Sequence, residues 1–109
     1  MDGIFDDADV ISVYTREDAI QDGVLVRLDV RASGNPLDVC FTANLWDDYK
    51  ADELHRLRMT LIMTGLTRLS EDDPEDLLGV RKLRVIVEDR IWVIEDTDGA
   101  ITFMRPEDY

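Results

Sequence analysis

Cysteine and histidine occur once each in this 109-residue chain, as Cys40 and His55, and lysine only twice. A single cysteine excludes an internal disulfide and any zinc site built on cysteines. It lies in Val39-Cys40-Phe41, an apolar setting that predicts a buried, inert thiol. His55 stands beside Glu53 and Arg56 with no Ser or Cys at a spacing that suggests a pair. It therefore reads as a solvated helix residue rather than a catalytic base. The six glycines are scattered at turns and caps and form no phosphate-cradling loop. No apolar run approaches the roughly 18 residues that would span a bilayer. The acidic opening from Met1 to Asp9 also lacks the basic segment of a secretory signal. Together these absences predict a cytoplasmic protein with no cofactor.

What the chain has in abundance is negative charge. Twenty-five Asp and Glu face twelve Lys and Arg, a formal net charge of −13 at pH 7. Such a field repels phosphate backbones and anionic headgroups and draws basic partners from a distance, which argues against direct nucleic-acid or membrane binding. The same charge serves plain solubility. Asp outnumbers Glu eighteen to seven and Arg outnumbers Lys ten to two, a bias that a halophilic surface or a GC-rich genome also produces. Hydrophobic residues make up 45% of the chain, enough for a packed core, so the charge does not signal disorder. The length sets one domain over 1–109, with 1–9 as a loosely held arm around Ile4 and Phe5.

Local patterns place the elements. Val10 to Tyr14 is β-prone. Thr15 is suited to cap a short helix over Arg16 to Gln21, with Asp18 completing a capping box, and Asp22-Gly23 ends it. Val24, Val26, Leu28 and Val30 alternate with Leu25, Arg27, Asp29 and Arg31, as in a half-buried strand. Ser33-Gly34-Asn35-Pro36 turns the chain into a second strand over Leu37 to Phe41. Thr42 caps a helix through Tyr49. A long helix runs from Asp52, its cap, to Leu69, with Leu54, Leu57, Leu61, Gly65 and Leu69 on one stripe widened by Ile62 and Leu66. Ser70 to Asp76 is either an acidic loop or a helical turn opened by Pro74 with Asp73 as cap. Leu83, Val85 and Val87 alternate with Arg84, Ile86 and Glu88, and Ile91, Val93 and Glu95 with Trp92, Ile94 and Asp96. Turns at Asp89-Arg90 and Asp98-Gly99 join these strands to a last one over Ala100 to Met104. The pattern predicts an α+β fold: an antiparallel sheet with a C-terminal β-meander, packed against one long and one or two short helices.

Chemistry-bearing motifs are few. Asp96-Thr97-Asp98-Gly99 resembles a fragment of a calcium loop but lacks the third acidic position and the distal Glu, and a hairpin turn explains it. Nothing marks an apolar pocket that would raise one carboxyl of a catalytic pair. Arg81, Lys82 and Arg84 form a small basic counter-patch. Trp46 beside Asp47 and Asp48 reads either as a partner anchor or as an amphipathic core residue, and Trp92 as core or sheet surface.

The stretch Val10-Ile11-Ser12-Val13-Tyr14-Thr15-Arg16-Glu17-Asp18-Ala19-Ile20-Gln21-Asp22-Gly23-Val24-Leu25-Val26, with the later Leu45-Trp46-Asp47-Asp48, resembles an uncharacterised family of small proteins encoded by phages, plasmids and other mobile elements. The similarity covers roughly Val10 to Asp48. It implies a context, and brings no activity, catalytic residue or cofactor.

Acidity and that resemblance together set the functional expectation. Duplex DNA carries about one charge per 1.7 Å of axis, so a protein decoy needs many closely spaced carboxylates. Asp47, Asp48, Asp52 and Glu53, with Glu71, Asp72, Asp73, Glu75 and Asp76, bracket the long helix and are expected to form such a face, with Trp46 beside it. The expected function is non-enzymatic inhibition of a host defence or nucleic-acid-binding complex, of anti-CRISPR or anti-restriction type, by occupying a basic protein surface. The alternative is a docking module of the mobile element that binds through Trp46 and is acidic only for solubility. A small carboxylate enzyme ranks last. An exposed edge strand of the C-terminal meander offers a route to a homodimer.

Overall fold

A computed structural model describes residues 14–74, 76 and 81–109. The arm at 1–9, the strand expected at Val10 to Tyr14 (apart from Tyr14 itself) and Glu75 lie outside the described residues.

Local sequence determines the first elements. Helix α1 spans Arg16–Gln21; Thr15 accepts from the Asp18 amide while the Asp18 carboxylate accepts from the Thr15 amide, the reciprocal box read from the sequence. Gly23 adopts φ 80°, and the amides of Gly23 and Val24 return to the carbonyls of Ile20 and Ala19, closing the helix. Strand β1 (Leu25–Ala32) then pairs antiparallel with β2 (Asn35–Thr42). Their turn is only Ser33-Gly34, at φ 54° and 83°, the left-handed pair that matches strand twist. Asn35 and Pro36, expected in the turn, already belong to β2.

Thr42 ends β2 and caps α2 (Ala43–Tyr49) through the Leu45 amide at 3.4 Å. A 3₁₀ turn, Asp52–Leu54, leads into α3, His55–Ser70. Asp52 does not cap it: no side chain caps either segment, and the Leu54 amide bonds the Ala51 carbonyl at 2.9 Å. The reversal between α2 and α3 is held instead by Arg58, which donates to the carbonyls of Tyr49 and Ala51. Strands β3 (Lys82–Ile86), β4 (Ile91–Glu95) and β5 (Ile101–Met104) form the antiparallel meander.

The fold is α+β, with sheet order β1-β2-β5-β4-β3 and three α-helices among the described residues. One pairing departs from the antiparallel expectation. β5 lies parallel to β2, in register Val39↔Ile101 and Phe41↔Phe103. Parallel neighbours need a crossover connection, and here α2, α3 and the β3–β4 hairpin supply it.

One sheet face carries Val39, Phe41, Val93, Ile101 and Phe103, and α2 and α3 close over it with Leu45, Leu61, Ile62 and Leu69. Leu57, expected on the buried stripe, is 53% exposed because it lies at the open end of α3. The face of β3 that is buried carries Arg84 and Ile86, while Leu83 and Val87 are largely exposed. On the other sheet face Cys40 is fully buried, and that burial pushes its thiol up. Trp46 is half-buried against the core with the Arg58 guanidinium over its ring at 5.2 Å, and Trp92 packs on Tyr109. Among the described residues no helix is long and apolar enough to cross a membrane.

Gly65 sets the distance between α3 and the sheet. A Cβ there would lie 2.5 Å from two ring carbons of Phe103 and 3.1 Å from Val93 Cγ2. Overpacking of this kind costs about 1–3 kcal/mol, against about 1 kcal/mol gained in helix propensity. Gly65→Ala is therefore expected to lower stability by up to about 2 kcal/mol in urea titration. A stabilised variant would mean that α3 does not rest on Phe103.

Candidate functional site

The carboxylates expected to form one face fall at the two ends of α3. At 16 residues this helix is about 24 Å long, and it contributes no Asp or Glu of its own. Asp47, Asp48, Asp52 and Glu53 stand at its N-terminal end, and Glu71, Asp72, Asp73 and Asp76 at its C-terminal end.

The C-terminal group is drawn into the architecture. Arg84 is only 3% exposed and is not part of a surface counter-patch. Its Nη1 and Nη2 grip the Asp76 carboxylate at 2.9 and 2.6 Å. Nε donates to Arg68 O, Nη2 to Glu71 O and Nη1 to Leu83 O, at 3.0 to 3.1 Å. These bonds occupy the whole donor set of a guanidinium. They place a cation against the last carbonyls of α3, where the helix dipole favours it. Glu71 pairs with Arg68 at 3.3 Å, and Asp72 is exposed. Asp73 and Asp76 join a turn in which the Asp76 amide bonds the Asp73 carbonyl at 2.9 Å.

The N-terminal group borders a cleft of about 640 Å³ between α2, the start of α3, the β3–β4 turn and the C-terminal 3₁₀ turn, Pro106–Asp108. Leu45, Leu54, Leu57 and Ile91 line it with apolar surface; Asp48, Asp89 and Glu107 line it with carboxylates, and Arg90 and Arg105 with guanidinium groups. Arg105 is already committed to Asp48 through two bonds of 2.9 and 2.6 Å, which tie the C-terminal turn to α2. Asp108 fastens the same turn by accepting from Thr42 Oγ1 and Asn44 Nδ2 at 2.7 and 2.8 Å. Burial alone would raise the Asp108 carboxyl, but these bonds and the Arg105 amide outweigh it and hold the group below its ordinary value.

Asp52 and Glu53 are exposed and immediately precede Leu54, which lines the cleft. Glu88 precedes Asp89 in a turn whose Val87, Glu88 and Asp89 all take positive φ, at 54°, 54° and 68°. For a β-branched residue such as Val87 that backbone is strained, and Asp89 of the same turn lines the cleft. Sequence reasoning found the 47–53 cluster and the Asp89-Arg90 turn separately. Glu107 and Arg105 follow the last strand expected from the sequence, and nothing local shows that this segment folds back onto α2.

The remaining candidates are structural in their surroundings. His55 is exposed at the start of α3, with Arg58 Nη2 at 3.3 Å from Nδ1. The calcium-like Asp96 to Gly99 segment is a turn: Gly99 N donates to Asp96 O and Ala100 N to Asp98 Oδ1, while Asp96 pairs with Arg81. Among the described residues no three His, Cys, Asp or Glu side chains are grouped so as to hold a metal ion. No family model, curated protein or solved structure matches the chain.

The Asp76–Arg84 pair has a pH consequence. The hydrogen bonds from Arg84 hold the Asp76 carboxyl below its ordinary value. A carboxyl depressed in the folded state contributes stability that is complete above its unfolded value, about 3.9, and is lost as pH falls through the folded value. Asp76→Asn is expected to lower the urea midpoint at neutral pH and to flatten its decline below about pH 5. Asp108 retains part of that acid slope. An acid limb identical to that of the unaltered protein would show that Asp76 titrates as a free carboxyl.

Proposed function

We propose that this is a non-enzymatic acidic binding protein that occupies a basic surface of a host nucleic-acid-binding complex through the cleft end of the molecule, in the manner of an anti-CRISPR or anti-restriction inhibitor. The observation that carries the reading is the concentration of carboxylates around that cleft. Asp48, Asp89 and Glu107 line it, and Asp47, Asp52, Glu53 and Glu88 flank it in the chain. Asp48 is neutralised by Arg105 and Asp47 lies 3.6 Å from Lys50. Asp52, Glu53, Glu88 and Asp89 have no ion-pair partner among the described residues, and together they outnumber the Arg90 guanidinium that shares the cleft.

The distribution of the cations supports the same view. Arg16, Arg58 and Arg84 turn inward onto carbonyls and carboxylates, which leaves the net charge of −13 expressed mainly by outward acids. A field of this sign steers a basic partner and repels nucleic acid itself. The apolar floor of Leu54, Leu57 and Ile91 gives an inserted Lys or Arg stem a surface to pack on. The resemblance of Val10 to Asp48 to proteins of mobile elements supplies the host-defence context. The face that would mimic nucleic acid is the cleft end alone, and the carboxylates at the C-terminal end of α3 lie outside it.

A second reading, the apolar docking module, finds its support in Leu57, which is 53% exposed at the cleft rim, rather than in Trp46, whose ring is covered by Arg58.

A pull-down of tagged protein from a bacterial lysate separates the two. On the decoy reading a nucleic-acid-binding complex is recovered at low salt and lost at high salt. Glu88→Gln, Asp89→Asn and Glu107→Gln together are then expected to weaken binding about tenfold, at 0.2–1 kcal/mol per exposed charge. A partner retained at high salt and released by Leu57→Asp would overturn the decoy reading in favour of apolar docking.

A further inference from the structure

Strand β1 is an edge of the sheet among the described residues, and it is eight residues long. Its backbone orientation follows from one bond. Opposed positions of β1 and β2 run from Leu25↔Thr42 to Ala32↔Asn35, and the Ala43 amide donates to the Val24 carbonyl, one step beyond that ladder. Val24 and Ala43 are therefore a hydrogen-bonded pair. The alternation of antiparallel pairs then assigns Val26, Leu28, Val30 and Ala32 to bonds with β2, and turns the N–H and C=O groups of Leu25, Arg27, Asp29 and Arg31 away from it. Such a row of open groups is a template for another strand, and β1 carries no Pro or bulge to blunt it, only the charges of Arg27, Asp29 and Arg31. The opposite edge, β3, is shorter, and its Val85 carbonyl already accepts from Arg68.

The side chains select the partner. Around Leu28 the sequence reads Val26-Arg27-Leu28-Asp29-Val30, symmetric in its apolar positions and of opposite charge at the mirrored ones. We propose that β1 pairs antiparallel with β1 of a second copy, with Leu28 on the two-fold axis. In this register Arg27 of each copy faces Asp29 of the other, Val26 faces Val30, and Leu28 faces Leu28. The pairing Arg27 with Asp29 is one between residues whose backbone groups point outward, as the hydrogen-bonded positions require. Leu28 falls at the non-hydrogen-bonded position on the axis, where side chains approach most closely.

Neighbouring registers are excluded by charge. Shifting the partner by two residues one way places Asp29 against Asp29 and Arg27 against Arg31; the other way places Arg27 against Arg27. Like charges directly opposed destabilise a strand pair. Arg27 and Asp29 are both exposed, and Leu28, Val30 and Leu37 are half-buried against the main core, so a second copy extends that core across the axis. The same residues, with Pro36, line a hollow of about 440 Å³ along the strand. Isologous contacts of this kind close a two-fold dimer without leading to fibres. The cleft proposed for partner binding is lined by residues of other elements, so the two surfaces are independent.

Sedimentation over a range of protein concentration tests the proposal, paired with cysteine crosslinking. The full chain is expected to sediment as a dimer at high concentration. Arg27→Asp and Asp29→Arg singly are each expected to raise the dissociation constant about tenfold or more, by setting like charges opposite one another. The double exchange R27D/D29R restores the opposite-charge pairs and is expected to return the constant to within about threefold of the starting value. Because Arg27 also bonds Glu17 on α1, a second measurement avoids it. Leu28→Cys is expected to form a crosslinked dimer under mild oxidation, whereas Val30→Cys, whose partner position is Val26, is not. A chain that stays monomeric at all concentrations, a double exchange no better than the single ones, or Val30→Cys crosslinking as fast as Leu28→Cys would each overturn this pairing.

Discussion

The Arg84 guanidinium is the interaction on which the architecture turns. It is buried, it carries five donors, and all of them are used: on the Asp76 carboxylate, on two carbonyls at the end of α3, and on its own strand. A buried charge is tolerated only when paired and fully hydrogen-bonded. Meeting that demand brings three segments together, since the end of α3, the turn at Asp76 and the edge strand β3 must all converge on one point. The helix terminus would otherwise leave carbonyls without partners.

The same device recurs. Arg58 satisfies the carbonyls of Tyr49 and Ala51 and covers Trp46. Arg105 holds Asp48 by two bonds and so folds the C-terminal turn against α2. Arg16 reaches Asp38, Thr102 Oγ1 and the Ile101 carbonyl, joining α1 to β2 and β5. A planar fork of donors suits such multiple carbonyl and carboxylate contacts better than an ammonium, which gives a structural use to the preference for Arg over Lys. Committing cations inward has a consequence for the surface, because Asp52, Glu53, Glu88 and Asp89 are left without an ion-pair partner among the described residues. The cleft end is where several of them meet apolar surface.

The charge pattern on β1 is of another kind. Edge strands are commonly guarded by charge, and Arg27, Asp29 and Arg31 exclude most partners and most registers. In the dimer proposed above, their arrangement about Leu28 matches the strand to its own copy. Guarding an edge against strangers while admitting a copy requires only that the guard charges be antisymmetric about a residue whose backbone faces inward.

Much of the local structure was legible because it depends on neighbours in sequence. Thr15 and Asp18 lie within one helical turn, so their box could be read directly; so could the left-handed turn at Ser33-Gly34 and the alternation along β1. The α+β fold followed from the same periodicities. The face of β3 could not be read this way. Leu83, Val85 and Val87 look like the buried side, and only the convergence of Asp76 with the carbonyls of Arg68 and Glu71 makes the Arg84 side the better one to bury. Nor could adjacency in sequence reveal that the two acidic groups stand a full helix length apart, or that Asp89 and Glu107 join Asp48 in one cleft. Sequence by itself determined which segments are helix or strand and the sign of the molecule's field, because propensity, capping and net charge are local or additive. Tertiary structure alone decided which charges are drawn into ion pairs and carbonyl contacts and which stand at the cleft, because that depends on groups brought together from distant parts of the chain.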